Sequence, residues 1–341
     1  MKFRLISTLL VAFMFIASGS SLAASKTFNL KLSHVTSPLL RGEIPHPYQT
    51  GLLKFAELVK ERTEGAVTID VYPASQLGGE REAIEAMQLG TLDFSLGGTA
   101  VIANFTKNVL VFDLPFLFES KAHARTVLDS EYGSAKMKEW EAVGLVGLSF
   151  FENSFFDFFA TKAVPNPEDM AGTTIRVMEN NIHMLLVKTV GGNPVPMAFS
   201  EVATSLQNGT IDGIHTGVVP ALDLGILKGM FFTQLDCVYP PIPLIASKRT
   251  WDALPEEFRA IIRQAAKDAT VFERQYIDDN WDLLLEDAKK AGVTVVTANR
   301  EAWIAKTVKP IYDDFIGKTV PLSDLEAINS YRVSPPVYVP Q

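Results

Sequence analysis

Apolar positions along this chain alternate between two periods, and the switches between them mark the elements. Phe28 to Ser33 (FNLKLS) reads as a strand, and a polar loop rich in Pro and His follows it. From Gly51 to Thr63 the apolar residues Leu52, Phe55, Ala56 and Val59 fall at helical spacing with charges on the other face. Gly65 closes that helix, and Val67 to Tyr72 (VTIDVY) returns to alternation. Pro73 to Gly79 is a turn, Glu80 to Leu89 a helix ended by Gly90, and Leu92 to Leu96 another short strand. The same rhythm resumes after residue 145. Strands are predicted at Val146 to Phe150, Phe155 to Thr161, Thr174 to Met178 and Asn193 to Met197. Helices are predicted at Ile182 to Val190 and Glu201 to Gln207. Strands alternating with helices imply mostly parallel sheets flanked by helices, here in two units and hence two lobes.

The C-terminal third differs. From Pro255, apolar residues at Phe258, Ile262, Ala265, Ala269, Phe272 and Tyr276 step by four and three, predicting a helix that runs to about Lys290. At 1.5 Å per residue it spans about 50 Å, more than one lobe needs. There is no repeat, low-complexity tract or long linker, so the chain is expected to cross between lobes more than once.

The N-terminus has its own pattern. Lys2 and Arg4 precede the apolar run Leu5 to Ile16, and small residues end at Ala23-Ala24, the layout of a cleavable export signal over residues 1–23. Cleavage after Ala24 is an alternative. Loss of Lys2 and Arg4 takes the formal net charge from −8 to −10, which gives no general attraction to nucleic acid. Cys237 is the single cysteine, so neither a disulfide framework nor a thiol-rich metal site is available. The sequence lacks nucleophile elbows, phosphate loops and dinucleotide fingerprints, and the five histidines stand apart without metal-binding spacing. Acidic pairs such as Glu80/Glu82 and Asp278/Asp279 read as solvated helix faces.

Arg176 breaks the pattern. It lies in the strand-like run Thr173 to Met178, where a buried guanidinium without a partner would cost several kcal/mol. Either it reaches water at a strand end, or a negative group is brought to it.

Six motifs resolve the choice by resemblance. They are Pro73-x-x-Gln76-Leu77-Gly78, Gln88-x-Gly90-x-x-Asp93 and Asp113-Leu114-Pro115-Phe116-Leu117-Phe118. Then come Pro167-Glu168-Asp169-Met170-x-Gly172-x-x-Ile175-Arg176-Val177, Pro194 to Val202 (PVPMAFSEV), and Leu206-Gln207-x-Gly209-x-x-Asp212-Gly213. In this order the chain, from about residue 27 to 320, resembles the DctP-type extracytoplasmic solute receptors of TRAP transporters. The resemblance implies a two-lobed α/β clamshell of the periplasmic-binding-protein kind. Each lobe is a mixed, mostly parallel sheet flanked by helices, and a long C-terminal helix braces both. Lobe I is expected over residues 25–152 plus about 240–280, lobe II over 153–239 plus about 281–335, with hinge strands near 150 and 240. It further implies a non-enzymatic periplasmic receptor, monomeric as most members are; no cofactor or metal is expected, although a cation bridges the ligand in a minority of the family. Such a receptor delivers a small organic acid to the small and large subunits of a membrane permease.

By the same resemblance, Arg176 matches the arginine that clamps the ligand carboxylate; the competing reading is an ion pair with Glu179. Phe199 matches an aromatic that packs on the ligand, Met197 beside it being assigned to the core. Glu80 matches a polar ligand contact and competes with a solvated helix-start acid. The departures are Phe156 where many sugar-acid receptors carry a second arginine, His215-Thr216 in place of Glu-Asn, and Gly98 followed by Thr99 at a usually polar position. Ala203 replaces a common Tyr. His46, in the loop after the first strand, is placed at the cleft mouth or on the surface. The ligand set is therefore Arg176, Phe199, Phe156, Thr216, Glu80, Thr99, Gly98 and His46. The lost polar groups favour a monocarboxylate with an apolar or aromatic body; a uronate or aldonate is the alternative. Two further readings are a sensory receptor serving a kinase or chemoreceptor, and a secreted enzyme on the same scaffold.

Overall fold

The computed structural model describes residues 27–40 and 44–340; the expected export signal lies outside them. Two sheets organise the chain. The first runs in the order Val67–Tyr72, Phe28–Ser33, Phe94–Leu96, Ile242–Ser247, Leu145–Phe151. The second runs Thr294–Thr297, Phe231–Val238, Phe156–Ala160, Gly213–Thr216, Thr174–Val177, Asn193–Pro196. Pairing is parallel where a helix links successive strands, as between Phe28–Ser33 and Val67–Tyr72. It turns antiparallel where the chain returns from the other lobe, as for Ile242–Ser247 against both its neighbours. A direct return brings the strand back in the opposite sense, whereas a crossover helix restores direction.

Most elements begin and end within a residue or two of their predicted bounds. The helix predicted from Gly51 instead spans Pro47–Arg62, because His46 caps it and Pro47 occupies its first turn, where a missing N–H costs nothing. The long helix is Glu256–Lys290, with Pro255 as its N-cap. Its inward residues show why it is long. Ile262, Ala265, Ala266 and Ala269 pack in the core of the first sheet, whereas Leu284 and Ala288 pack in that of the second. One helix is thus shared by both lobes.

Between those two stretches the helix passes the crossings of the chain, where buried charge is concentrated. Glu152, fully buried, accepts from Arg125 at 2.6 and 3.0 Å and from the Tyr239 hydroxyl at 2.9 Å. Arg125 also bonds Asp278 of the long helix at 2.7 and 2.8 Å, so Asp278 is engaged rather than merely solvated. Both crossing strands and the bracing helix therefore meet in one network. Close backbone approach matters at Gly213, where a Cβ would lie 2.4 Å from the Phe159 carbonyl oxygen, and this lets Gly213–Thr216 lie against Phe156–Ala160.

Candidate functional site

A cavity of about 390 Å³ opens between the two sheets, and its polar centre is Arg176. Arg176 is the third residue of strand Thr174–Val177 and is buried. Its parallel neighbour Asn193–Pro196 pairs Arg176 with Val195, which sets the Met197 carbonyl just beyond the strand end. Nε and Nη2 both donate to that carbonyl, at 3.0 and 2.8 Å. Among the described residues no carboxylate is in ion-pair contact with the guanidinium. Glu179, the rival partner, is paired with Arg81 at 3.4 Å, and its backbone carbonyl accepts from Asn104 at 2.8 Å. Burial pulls Arg176 down to about 10, while Glu80, Glu179 and Glu201 pull the other way. It is charged at neutral pH.

Five of the residues singled out from sequence line this cavity together: Arg176, Glu80, Phe156, Phe199 and Thr216. Phe156 is held by two buried imidazoles, edge-on to His215 at 5.6 Å and to His183 at 6.1 Å. Strand alternation turns its neighbour Asp157 the other way. There the Asp157 carboxylate accepts from the Leu235 and Cys237 N–H groups, at 3.0 and 3.3 Å, inside a bulge of the next strand. Glu80 opens helix Glu80–Leu89 and accepts from the Gly98 N–H at 3.4 Å. Burial pushes its carboxyl up to about 7, so it is not a freely solvated acid.

The other three lie off the cavity wall. Gly98 supplies its N–H to Glu80, and a Cβ there would meet Met178 Cε at 2.8 Å. Thr99 is fully buried and donates to Asp113 at 3.3 Å. His46 is fully buried as a helix cap, its Nδ1 accepting from the Tyr48 N–H at 3.1 Å.

That cap presents Tyr48 to the cavity two residues later, a consequence that single-residue spacing did not reveal. Asn153 and His34 join it on the wall. His34 is already bonded to Thr36 and Gln49, at 2.9 and 2.7 Å. By contrast the Tyr48 hydroxyl and Asn153 Oδ1 are buried and have no hydrogen-bond partner among the described residues. Such groups cost roughly 1–3 kcal/mol each unless something pairs with them. Met197, assigned to the core from sequence, lines the cavity and orients Arg176 through its carbonyl. Leu96, Val101, Met178 and Ile242 supply apolar wall. The site thus offers one oriented cation, two aromatic faces and a separate polar pole. No group of three or more metal-ligating side chains is placed to hold an ion among the described residues.

The family model for bacterial extracellular solute-binding proteins of family 7, DctP, matches residues 43–318. The 2,3-diketo-L-gulonate-binding periplasmic protein of Escherichia coli is 29% identical over 94% of this chain and 96% of its own length. A TRAP periplasmic solute-binding protein from Polaromonas, solved with bound D-erythronate, superposes with a TM-score of 0.84 at 33% identity, covering 90% of this chain and 100% of that one. Another, from Bordetella, with density built as pantoate, gives a TM-score of 0.83 at 31% identity over 90% of this chain and 100% of that one.

Proposed function

We propose that this chain, which belongs to the DctP family of TRAP periplasmic solute-binding receptors, captures a small hydroxylated monocarboxylate and delivers it to a membrane permease. Family and fold are those of transport receptors rather than enzymes. The observation that carries the reading is Arg176: a buried, charged guanidinium aimed into the cavity by the Met197 carbonyl. A guanidinium fork matches a carboxylate in shape and charge. Closure of the lobes about the crossings near 150 and 240 would replace its water with ligand. The sheet memberships support lobes drawn as residues 25–152 with about 240–280, and 153–239 with about 281–335.

Phe156, Phe199 and the aliphatic wall suit an apolar ligand body, and this supports a monocarboxylate. The Tyr48 hydroxyl and Asn153 Oδ1 add a requirement for hydrogen-bonding groups on the same molecule, since both are otherwise unpaired. The volume is at the lower end of the range for ligand sites, roughly 300–1,000 Å³, and so favours a short acid. Erythronate, bound in the Polaromonas relative, and pantoate, built into the density of the Bordetella one, are acids of this type.

A thermal-shift screen of the mature protein tests the assignment, with short aldonates, pantoate, aryl and indolyl acids, uronates and dicarboxylates in the panel. A ligand at a thousand times its Kd stabilises by about 4 kcal/mol, a shift of several degrees. The largest shifts are expected from the short hydroxylated monocarboxylates. Hits confined to unsubstituted aryl acids would remove the role of Tyr48 and Asn153, and a flat response across the panel would remove the acid-receptor reading.

A further inference from the structure

The carboxyl groups of the cavity outnumber its cations. Glu80, Glu82, Glu179 and Glu201 face Arg81 and Arg176 across it. A site read as an anion receptor therefore carries an excess of negative charge, and the partners decide where that charge is tolerated. Arg81 is committed to Glu179. Arg176 is the cation left for the ligand. Glu201 and Glu82 are both exposed, so water screens them.

Glu80 is half-buried and less open to water than either. Its own helix gives it no cation, because Arg81 points to Glu179. From strand Phe28–Ser33 comes His34, which burial brings down to about 4 and which is therefore neutral. From helix Pro47–Arg62 comes the Tyr48 hydroxyl, and from the loop before Thr99 a single N–H, that of Gly98, at 3.4 Å. The strand Thr174–Val177 contributes Arg176, followed by the carboxylate of Glu179, and helix Phe199–Gln207 contributes Glu201. An organic anion seated on Arg176 would cancel the one favourable charge that Glu80 feels and add another negative group beside it.

We propose that Glu80 is a neutral carboxylic acid in the ligand complex, so that capture of the organic anion takes up one proton and the Glu80 hydroxyl donates to the ligand. This rests on the carboxylate-receptor reading above. The bound anion remains a carboxylate on Arg176, and the proton enters from bulk solvent onto a Glu80 oxygen. Burial already holds this carboxyl at about 7, against the Gly98 N–H and Arg176, which both favour its charged form. The sign follows by linkage. An anion that raises the Glu80 pKa further is itself bound more tightly by the protonated site, by the same factor. Affinity is then level below about pH 7 and weakens by up to tenfold per pH unit above it.

Calorimetric titration with the acid giving the largest thermal shift, in phosphate and in Tris at pH 8, counts protons from the difference in apparent enthalpy. Uptake approaching one proton per ligand is expected, and none in Glu80→Gln, whose affinity should no longer change between pH 6 and 8.5. Zero uptake by the wild-type protein, or equal uptake by the variant, would overturn the assignment. A second arm needs no ligand. Carboxyl carbon NMR of the mature chain with labelled glutamate, assigned through Glu80→Gln, should show a titration near pH 7. A midpoint below pH 5.5 would overturn the assignment, even if the screen had yielded no ligand and the receptor reading had failed for its own reasons.

Discussion

Arg176→Ala is expected to weaken binding of the cognate acid by about 30- to 5,000-fold while leaving the fold in place. The range corresponds to the 2–5 kcal/mol typically lost when one partner of a buried, hydrogen-bonded charge pair is truncated. The fold is spared because the guanidinium has no carboxylate partner among the described residues. Its removal frees only the Met197 carbonyl, which water can reach through the cavity. Arg176→Lys should recover only part of the affinity, since an ammonium cannot satisfy that carbonyl and grip a carboxylate with a planar fork. Titration calorimetry and a melting curve for each variant separate the two effects. A variant that binds normally would assign Arg176 to structure, and one that melts far earlier without ligand would do the same.

The second large effect is expected far from the ligand. Arg125→Met leaves the fully buried Glu152 with the Tyr239 hydroxyl at 2.9 Å and Lys121 at 3.5 Å as its remaining side-chain partners. Breaking a buried ion pair from one side typically costs 3–5 kcal/mol. Lys121 compensates in part, so a loss of about 3 kcal/mol in urea unfolding is expected. Arg125→Met combined with Glu152→Gln should recover some of it, because the uncompensated charge is then gone as well. A loss below about 1 kcal/mol for the single change would mean that the network stores little and that the chain crossings are held by packing. The network joins both crossings to the long helix, so the variant is also expected to loosen the relation between lobes.

Local pattern was enough for most of the scaffold. Gly90 ends helix Glu80–Leu89 in the left-handed conformation, and the alternation of Val67–Tyr72 is that of the strand it forms. The first half of the long helix could be read because Ile262, Ala265 and Ala269 keep one buried stripe. Beyond them the buried positions turn to Thr270, Glu273 and Arg274, and Phe272, read as part of the stripe, is exposed. The returns of the chain could not be read in this way. Ile242–Ser247 is an almost continuous apolar run buried on both faces, which carries no period, and its place between Phe94–Leu96 and Leu145–Phe151 depends on partners far away in sequence.

The candidate site divides along the same line. Arg176 stood out because a charge inside an apolar strand is anomalous on its own. Tyr48 did not, since its exposure to the cavity depends on His46 turning inward to cap a helix. Asn153 was masked by the aromatics beside it, and Met197 contributes through a backbone atom that side-chain chemistry cannot flag. Glu80 looked like an ordinary acid at a helix start. What makes it unusual is its half-buried place in a cavity shared with three other carboxylates drawn from both halves of the chain.

The most direct test of carboxylate capture compares the best-bound acid with its primary amide, which keeps the shape and loses the charge. Calorimetry of the mature protein with each should give an amide at least about 30-fold weaker, in keeping with the 2–5 kcal/mol at stake in a buried charge-assisted pair. Equal affinities for acid and amide would show that Arg176 does not grip a carboxylate, and the account of this cavity as an organic-anion site would fall with it.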